Sequence, residues 1–192
     1  MRKKNKSEIF VNVADEYAND FQTPIEVCHY MVRMLPLGVR TVLEPTPGVG
    51  NIVNALVRAG YSVTAPANFF TIQESRFDAI VMNPPFSGKY AFGVPDGLEK
   101  HGMRLGYHIL TKCLHMSDNV IALMPWFTIS DSDVRLRALK TWGLKSITAL
   151  PRKTFDYARI QTVVLELQKG YIGMTEFKVF DLLSNNKQNL FH

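Results

Sequence analysis

Two adjacent prolines, Pro84 and Pro85, stand one residue beyond the mostly apolar run Phe77-Asp78-Ala79-Ile80-Val81-Met82. Proline has no amide hydrogen and a fixed φ, so neither a helix nor a central strand continues through such a pair. The run is therefore expected to be a strand that stops at Met82. Asn83-Pro84-Pro85-Phe86 is then a stiff, extended turn, with carbonyl acceptors fixed in space and an aromatic ring at its end. Fixed acceptors beside a π-face suit an exocyclic amine on a flat heterocycle, such as N6 of adenine. A surface loop closed by prolines is the plain alternative.

Around this strand, helical and extended patterns alternate. Thr23-Pro24-Ile25-Glu26 is a helix-start signal: a capping Thr, Pro at the first helical position, and Glu three residues after the cap. The helix is expected to run to about Leu35, with Ile25, Cys28, Met31, Val32 and Leu35 on one face. Thr41-Val42-Leu43 reads as a short buried strand ending at Glu44-Pro45. A helix from Asn51 to Ala59 follows, closed by Gly60, and then a strand from Tyr61 to Ala65. After Asp78 to Met82 come a long polar loop to about Arg104, a helix across Tyr107 to His115, and a strand from Asn119 to Met124 broken by Pro125. Asp131 or Ser132 caps a helix to about Trp142, and Lys145 to Leu150, Thr162 to Gln168 and Glu176 to Phe180 complete the set.

This order predicts an α/β fold of Rossmann-like type, with a mostly parallel sheet and helices on both faces. Lys169 to Thr175 is too short for a helix, so the last two strands are expected to form an antiparallel hairpin. Open parallel sheets bind ligands at the carboxyl ends of their strands. Glu44 and Asn83 both fall at such ends.

With 192 residues, the chain is expected to form a basic arm over residues 1–20 and one domain over 21–192. No apolar run approaches a membrane span, and the basic start is not followed by the apolar stretch of a secretion signal. Cys28 and Cys113 imply no disulfide framework, so a reducing, cytoplasmic setting is expected. The net charge of +5 is compatible with a polyanionic partner. Its bias lies in the arm and in Arg135, Arg137, Lys140, Lys145, Arg152 and Lys153, for which a solvated face is the alternative. His108, Cys113 and His115 lack zinc-ligand spacing, and no metal site is expected.

Glu44-Pro45-Thr46-Pro47-Gly48-Val49-Gly50 is a strand-to-helix turn. Gly48 and Gly50 let the backbone turn tightly and approach a ligand, and the next helix offers unpaired N–H groups. The Glu44 carboxylate disfavours a pyrophosphate there and suits a cation. The methionine part of S-adenosylmethionine, with its ammonium and sulfonium, meets that demand.

These segments resemble the amino-group DNA methyltransferases that modify adenine N6, in the arrangement where the cofactor motifs precede the catalytic one. Phe21-Gln22-Thr23-Pro24 is similar to their aromatic-x-Thr-Pro segment, and Glu44 to Gly50 to their Glu-Pro-x-x-Gly-x-Gly loop. Asn83 to Phe86 resembles their catalytic Asn-Pro-Pro-aromatic turn. Ile121 to Phe127 is similar to their next strand, and Leu150 to Phe155 with Thr162 to Leu167 to their C-terminal hairpin.

The resemblance implies a methyltransferase fold that uses S-adenosyl-L-methionine and acts on adenine in DNA. It makes Asn83, Pro84, Pro85 and Phe86 the catalytic residues, and places Phe21, Thr23, Pro24, Glu44, Pro45, Gly48 and Gly50 against the cofactor. Asn68-Phe69 stands where the family often has Asp-Phe against the cofactor adenine. The pattern departs at the second strand, which runs into Pro66-Ala67-Asn68 without the usual acidic residue. The stretch from Gly60 to Asn83 is also short, as though a helix were missing.

No separate target-recognition domain is expected, so Lys89, Tyr90 and Arg104 in the 87–104 loop are the candidates for substrate contact, and a separate specificity or partner subunit is implied. Two other readings stay open. One is a degenerate nucleic-acid-binding subunit that has lost the cofactor. The other is an enzyme acting on an RNA amine or a protein glutamine amide.

Overall fold

The computed structural model describes residues 22–73, 75–86, 104–155 and 160–181. Phe21, Lys89, Tyr90 and the basic arm lie outside the described residues. Helix α1 (Ile25–Arg33) precedes β1 (Thr41–Leu43), α2 (Asn51–Arg58) and β2 (Ser62–Thr64). A single 3₁₀ turn (Phe69–Thr71) leads towards β3 (Ala79–Met82). Then follow α3 (Leu105–Met116), β4 (Asn119–Pro125), α4 (Phe127–Ser130), α5 (Asp133–Trp142), β5 (Leu144–Ala149), β6 (Thr162–Gln168) and β7 (Glu176–Val179).

The strands form one seven-stranded sheet in the order β2-β1-β3-β4-β6-β5-β7. β2, β1, β3 and β4 are mutually parallel, whereas β6 is antiparallel to both β4 and β5. β7 adds on the far side of β5, parallel to it. Only β6 therefore opposes the other six. The hairpin expected between β6 and β7 does not form: both edges of β6 are already paired, and β7 takes the open edge of β5.

Helices on both faces explain the apolar runs. Along β3, Ala79 and Val81 face one core, and Ile80 and Met82 the other. The first core joins Val42, Ile121, Leu123 and Val164 to α1 and α2. The second joins Leu43, Val120, Ala122 and Met124 to α3 and to Leu139 of α5. A strand buried on both faces has no polar face to alternate with.

Local signals set most boundaries. Gly60, at φ +89°, follows α2, and Gly143 follows α5, while Ser132 caps α5 by accepting from Arg135 N–H at 3.3 Å. Helix α1 differs from expectation in two ways. Val27 joins Cys28, Met31, Val32 and Leu35 in the core, whereas Ile25 sits at the rim, 46% exposed. Thr23 does not cap the helix, because its hydroxyl is engaged elsewhere.

The β5–β6 half of the sheet contains a second buried carboxylate, Glu166. It accepts from Ser146 Oγ at 2.7 Å and pairs with Lys145 at 2.7 Å and Lys178 at 3.8 Å. Asp78 clamps the start of β3 to β1, its carboxylate accepting from Arg40 N–H and Thr41 N–H at 2.9 and 2.8 Å. Those N–H groups, Thr41's first, hold the Asp78 carboxyl below the usual carboxylate range.

Candidate active site

β1 and β3 are neighbours, so their carboxyl ends bring Glu44 and Asn83 together. Glu44 is fully buried. Its main-chain N–H donates to Thr64 O of β2 at 2.9 Å, which fixes the end of the strand. Its Oε1 accepts from Thr46 N–H at 2.8 Å and from Thr46 Oγ1 at 3.3 Å. Among the described residues its Oε2 is buried without a hydrogen-bond partner. Burial pushes the carboxyl up to about 8, against the opposing pull of the two Thr46 bonds.

The loop after Glu44 turns into α2 through two left-handed glycines, Gly48 at φ +53° and Gly50 at φ +90°. A methyl group on Gly48 would lie 2.8 Å from Gln22 Oε1, so the absence of a side chain lets Gln22 pack directly against the loop backbone. Gln22 Oε1 also accepts from Val49 N–H at 3.2 Å. Asn51, at the first turn of α2, donates its side-chain amide to Thr23 O at 3.0 Å. The buried Cys28 thiol donates to the same carbonyl at 3.5 Å, and burial, with nearby Glu44, pushes that thiol up to about 12.

The Asn83 side chain donates from Nδ2 to Thr23 Oγ1 at 3.0 Å, and its main-chain carbonyl lies 3.3 Å from Thr46 Oγ1, sharing that hydroxyl's one proton with Glu44 Oε1. Thr46 thus touches both the Glu44 carboxylate and the Asn83 turn. Pro84 is buried, whereas Pro85 and Phe86 are partly exposed. The turn leans on the start of α3 at Gly106, where an added methyl would meet Pro85 O at 3.4 Å and Phe86 Cδ1 at 3.5 Å.

Of the residues singled out in the sequence, Thr23, Pro24, Glu44, Pro45, Gly48, Gly50 and Asn83 to Phe86 belong to this one knot of hydrogen bonds and contiguous backbone. Asn68 and Phe69 lie apart, in the 3₁₀ turn beyond β2. Asn68 caps the turn, its Oδ1 accepting from Phe70 N–H at 2.9 Å, and Phe69 is buried in the α3-side core. Lys112 lies 5.8 Å from the Phe69 and Phe70 ring centres. Arg104 is exposed immediately before α3. The roles of Thr46, Gln22, Asn51 and Gly106 are not visible in the sequence, since each depends on a partner in another segment.

The basic set divides. Arg135 donates to Phe127 O at 2.9 Å and Thr128 O at 3.3 Å, and lies over the Tyr107 ring. Arg137 pairs with Asp133, Lys140 donates to Gly173 O, and Lys145 pairs with Glu166. These four serve the fold, while Arg152 and Lys153 are exposed. Among the described residues, no group of three or more His, Cys, Asp or Glu could hold a metal ion, and no helix is long and apolar enough to cross a membrane.

No protein-family model and no curated protein matches the chain. Solved structures do. The methyltransferase subunit of a type I restriction-modification system from Streptococcus thermophilus superimposes with a TM-score of 0.66 at 16% identity, over 96% of this chain and 55% of that one. A Listeria monocytogenes protein, provisionally described as a class I S-adenosylmethionine-dependent methyltransferase, gives 0.62 at 13% identity, over 96% and 75%. The M protein of the type I restriction enzyme EcoKI gives 0.53 at 13% identity, over 88% and 48%. The chain therefore has the Rossmann-like fold of these methyltransferases. It spans about half the length of the type I subunits it matches.

The residues present fit the methionine end of S-adenosylmethionine. Among the described residues the Oε2 of Glu44 is buried and unpartnered, which suits a cation.

Proposed function

We propose that this chain is the catalytic module of an S-adenosylmethionine-dependent methyltransferase that modifies the N6 amine of adenine in DNA. One observation supports this reading above the others: Glu44, whose Oε2 is unpartnered among the described residues, and the Asn83 turn flank Thr46, which donates its N–H to Glu44 Oε1 and holds its hydroxyl 3.3 Å from the Asn83 carbonyl. In this reading the proposed cation site and the proposed amine acceptors share one frame.

When bound, S-adenosylmethionine supplies an electrophilic methyl group. The chain's own residues do the rest. Glu44 would hold the ammonium, with Thr23, Pro24, Pro45, Gly48 and Gly50 shaping that end and Asn68 and Phe69 the adenine end. Phe21 is assigned to the same site from the sequence alone. The Asn83 side-chain oxygen and the Pro84 carbonyl would accept the two amino hydrogens of adenine, holding N6 in line for transfer. Phe86 would stack on the base. Catalysis of this kind is positioning and electrostatics, and the N6 proton leaves after the new bond forms. In duplex DNA the target must leave the stack. Lys89, Tyr90 and Arg104 are the proposed DNA contacts, and a separate specificity or partner subunit and a cytoplasmic location go with this reading.

A second reading has a specific observation in its favour. The end of β2, Thr64-Ala65-Pro66-Ala67, carries no acidic group, and the path to β3 holds only one 3₁₀ turn among the described residues. That favours a degenerate subunit with weakened cofactor affinity.

Transfer of labelled methyl groups from S-adenosylmethionine to unmethylated genomic DNA tests the proposal, with N6-methyladenine identified after hydrolysis. Asn83→Ala is expected to abolish transfer while calorimetric cofactor binding persists. Label in RNA or protein but not in DNA would move the substrate assignment. Absence of cofactor binding, alone and with DNA, would favour the degenerate subunit.

A further inference from the structure

The hydrogen bond from Asn83 Nδ2 to Thr23 Oγ1, at 3.0 Å, joins residues sixty positions apart. An asparagine amide has one acceptor end and one donor end, and rotation by half a turn about its last bond exchanges them. The proposed reaction needs the oxygen towards the amine. With the ends exchanged, two NH₂ groups would face each other. A partner at the inner end of the amide must therefore hold it in place and be able to accept from Nδ2.

Thr23 is built for that task. It is 3% exposed, and its own position is fixed from two sides: Asn51 Nδ2 and Cys28 Sγ both donate to its carbonyl. The residue that sequence alone marks as a helix cap makes no capping bond. Its hydroxyl oxygen instead receives the Asn83 amide nitrogen. Thr46, from the glycine loop, holds the main-chain carbonyl of the same asparagine. One threonine grips the side chain and the other the backbone.

We infer that Thr23 is the positioning residue of Asn83: its hydroxyl, accepting from Nδ2, anchors the inner end of the amide and so places Oδ1 at the substrate amine. The inference rests on the adenine-methylating reading above and gives Thr23 a role separate from contact with the cofactor.

The test compares Thr23→Val, which keeps the shape and removes this acceptor, with Thr23→Ser, which restores it. Four quantities are read: kcat and KM for methyl transfer, the calorimetric Kd for S-adenosylmethionine, and the hydrogen-exchange rate of the Asn83 side-chain amide by ¹⁵N NMR. In Thr23→Val, kcat is expected to fall roughly ten- to a hundredfold, as for a misplaced reacting group. The DNA KM should stay within about twofold, the cofactor Kd should weaken by less than kcat falls, and the Asn83 amide should exchange roughly tenfold faster, having lost a protecting hydrogen bond. Thr23→Ser should return all of these towards wild type. Weakened cofactor binding with unchanged kcat and unchanged amide exchange would overturn the inference and leave Thr23 a cofactor contact. Thr23→Ala serves the same purpose should the valine variant fail to fold. If wild-type protein transfers no methyl group, the proposed function fails on that measurement alone. Unaltered amide exchange in the variant would instead refute the Thr23 contact itself.

Discussion

Two carboxylates are buried in the same sheet, and the chain treats them in opposite ways. Glu166 lies in the β5–β6 half among Ser146, Lys145 and Lys178, and both of its oxygens are engaged. Glu44 lies at the end of β1 with Oε2 unpartnered among the described residues, and its carboxyl is pushed up to about 8 by burial. A buried charge with its partners supplied from within the chain is a structural element. A buried acid without them stores an unmet demand that a ligand can satisfy. Glu166 is satisfied within the fold, and Glu44 is the one the proposed site would use.

The sharpest way to break that comparison is to neutralise each in turn. Glu44→Gln is expected to weaken S-adenosylmethionine binding at least ~30-fold, as for loss of one desolvated charge contact. The same variant should melt at a higher temperature than wild type at pH 9, where wild type must hold an ionised carboxylate in the interior. Calorimetry and a thermal melt read both effects, and a drop in both affinity and stability would make Glu44 an ordinary structural group.

The pH profile is the next largest effect. Because the folded protein holds the Glu44 proton more tightly than the unfolded chain, its stability contribution is greatest below the ordinary carboxylate range and declines as pH rises towards about 8. The limiting slope from one such group is roughly 1.4 kcal/mol per pH unit. Cofactor binding should run the other way, tightening as pH rises towards 8 with release of a proton, which calorimetry in buffers of different ionisation enthalpy detects.

Glu166→Gln is expected to cost about 1–2 kcal/mol in denaturant unfolding, discounted because its lysine partners are partly exposed, and to leave cofactor affinity unchanged. The smallest effect belongs to Lys178→Met. Its 3.8 Å pairing is loose and two-fifths exposed, so a change within about 0.5 kcal/mol is expected. A larger loss would mean that Glu166 depends on Lys178 more than on Lys145.

The features legible in the sequence are those whose causes are local. Pro84 and Pro85 end β3 whatever surrounds them, and Gly48 and Gly50 make the turn into α2 by backbone freedom alone. What stayed hidden is long-range. A threonine before a proline looks like a cap, and nothing nearby in sequence reveals an asparagine sixty positions on that takes its hydroxyl. A short connection between two extended runs suggests a hairpin, but strand order is decided by which edges remain open, and β6 has none left for β7. The charge on α5 looked like a surface for a polyanion until Asp133 and the carbonyls of α4 and Gly173 claimed much of it.

The reversed strand β6 carries a consequence for how the chain is made. β5 and β7 reach the rest of the sheet only through β6, which comes between them in the sequence. As the polypeptide leaves the ribosome, β1 to β4 can pair in order of emergence. β5 then appears with no neighbour and must wait until Thr162 to Gln168 have followed. A nascent chain arrested before that point is expected to expose the apolar edge of β4 and to bind trigger-type chaperones. One released beyond it would close seven strands in a single late step.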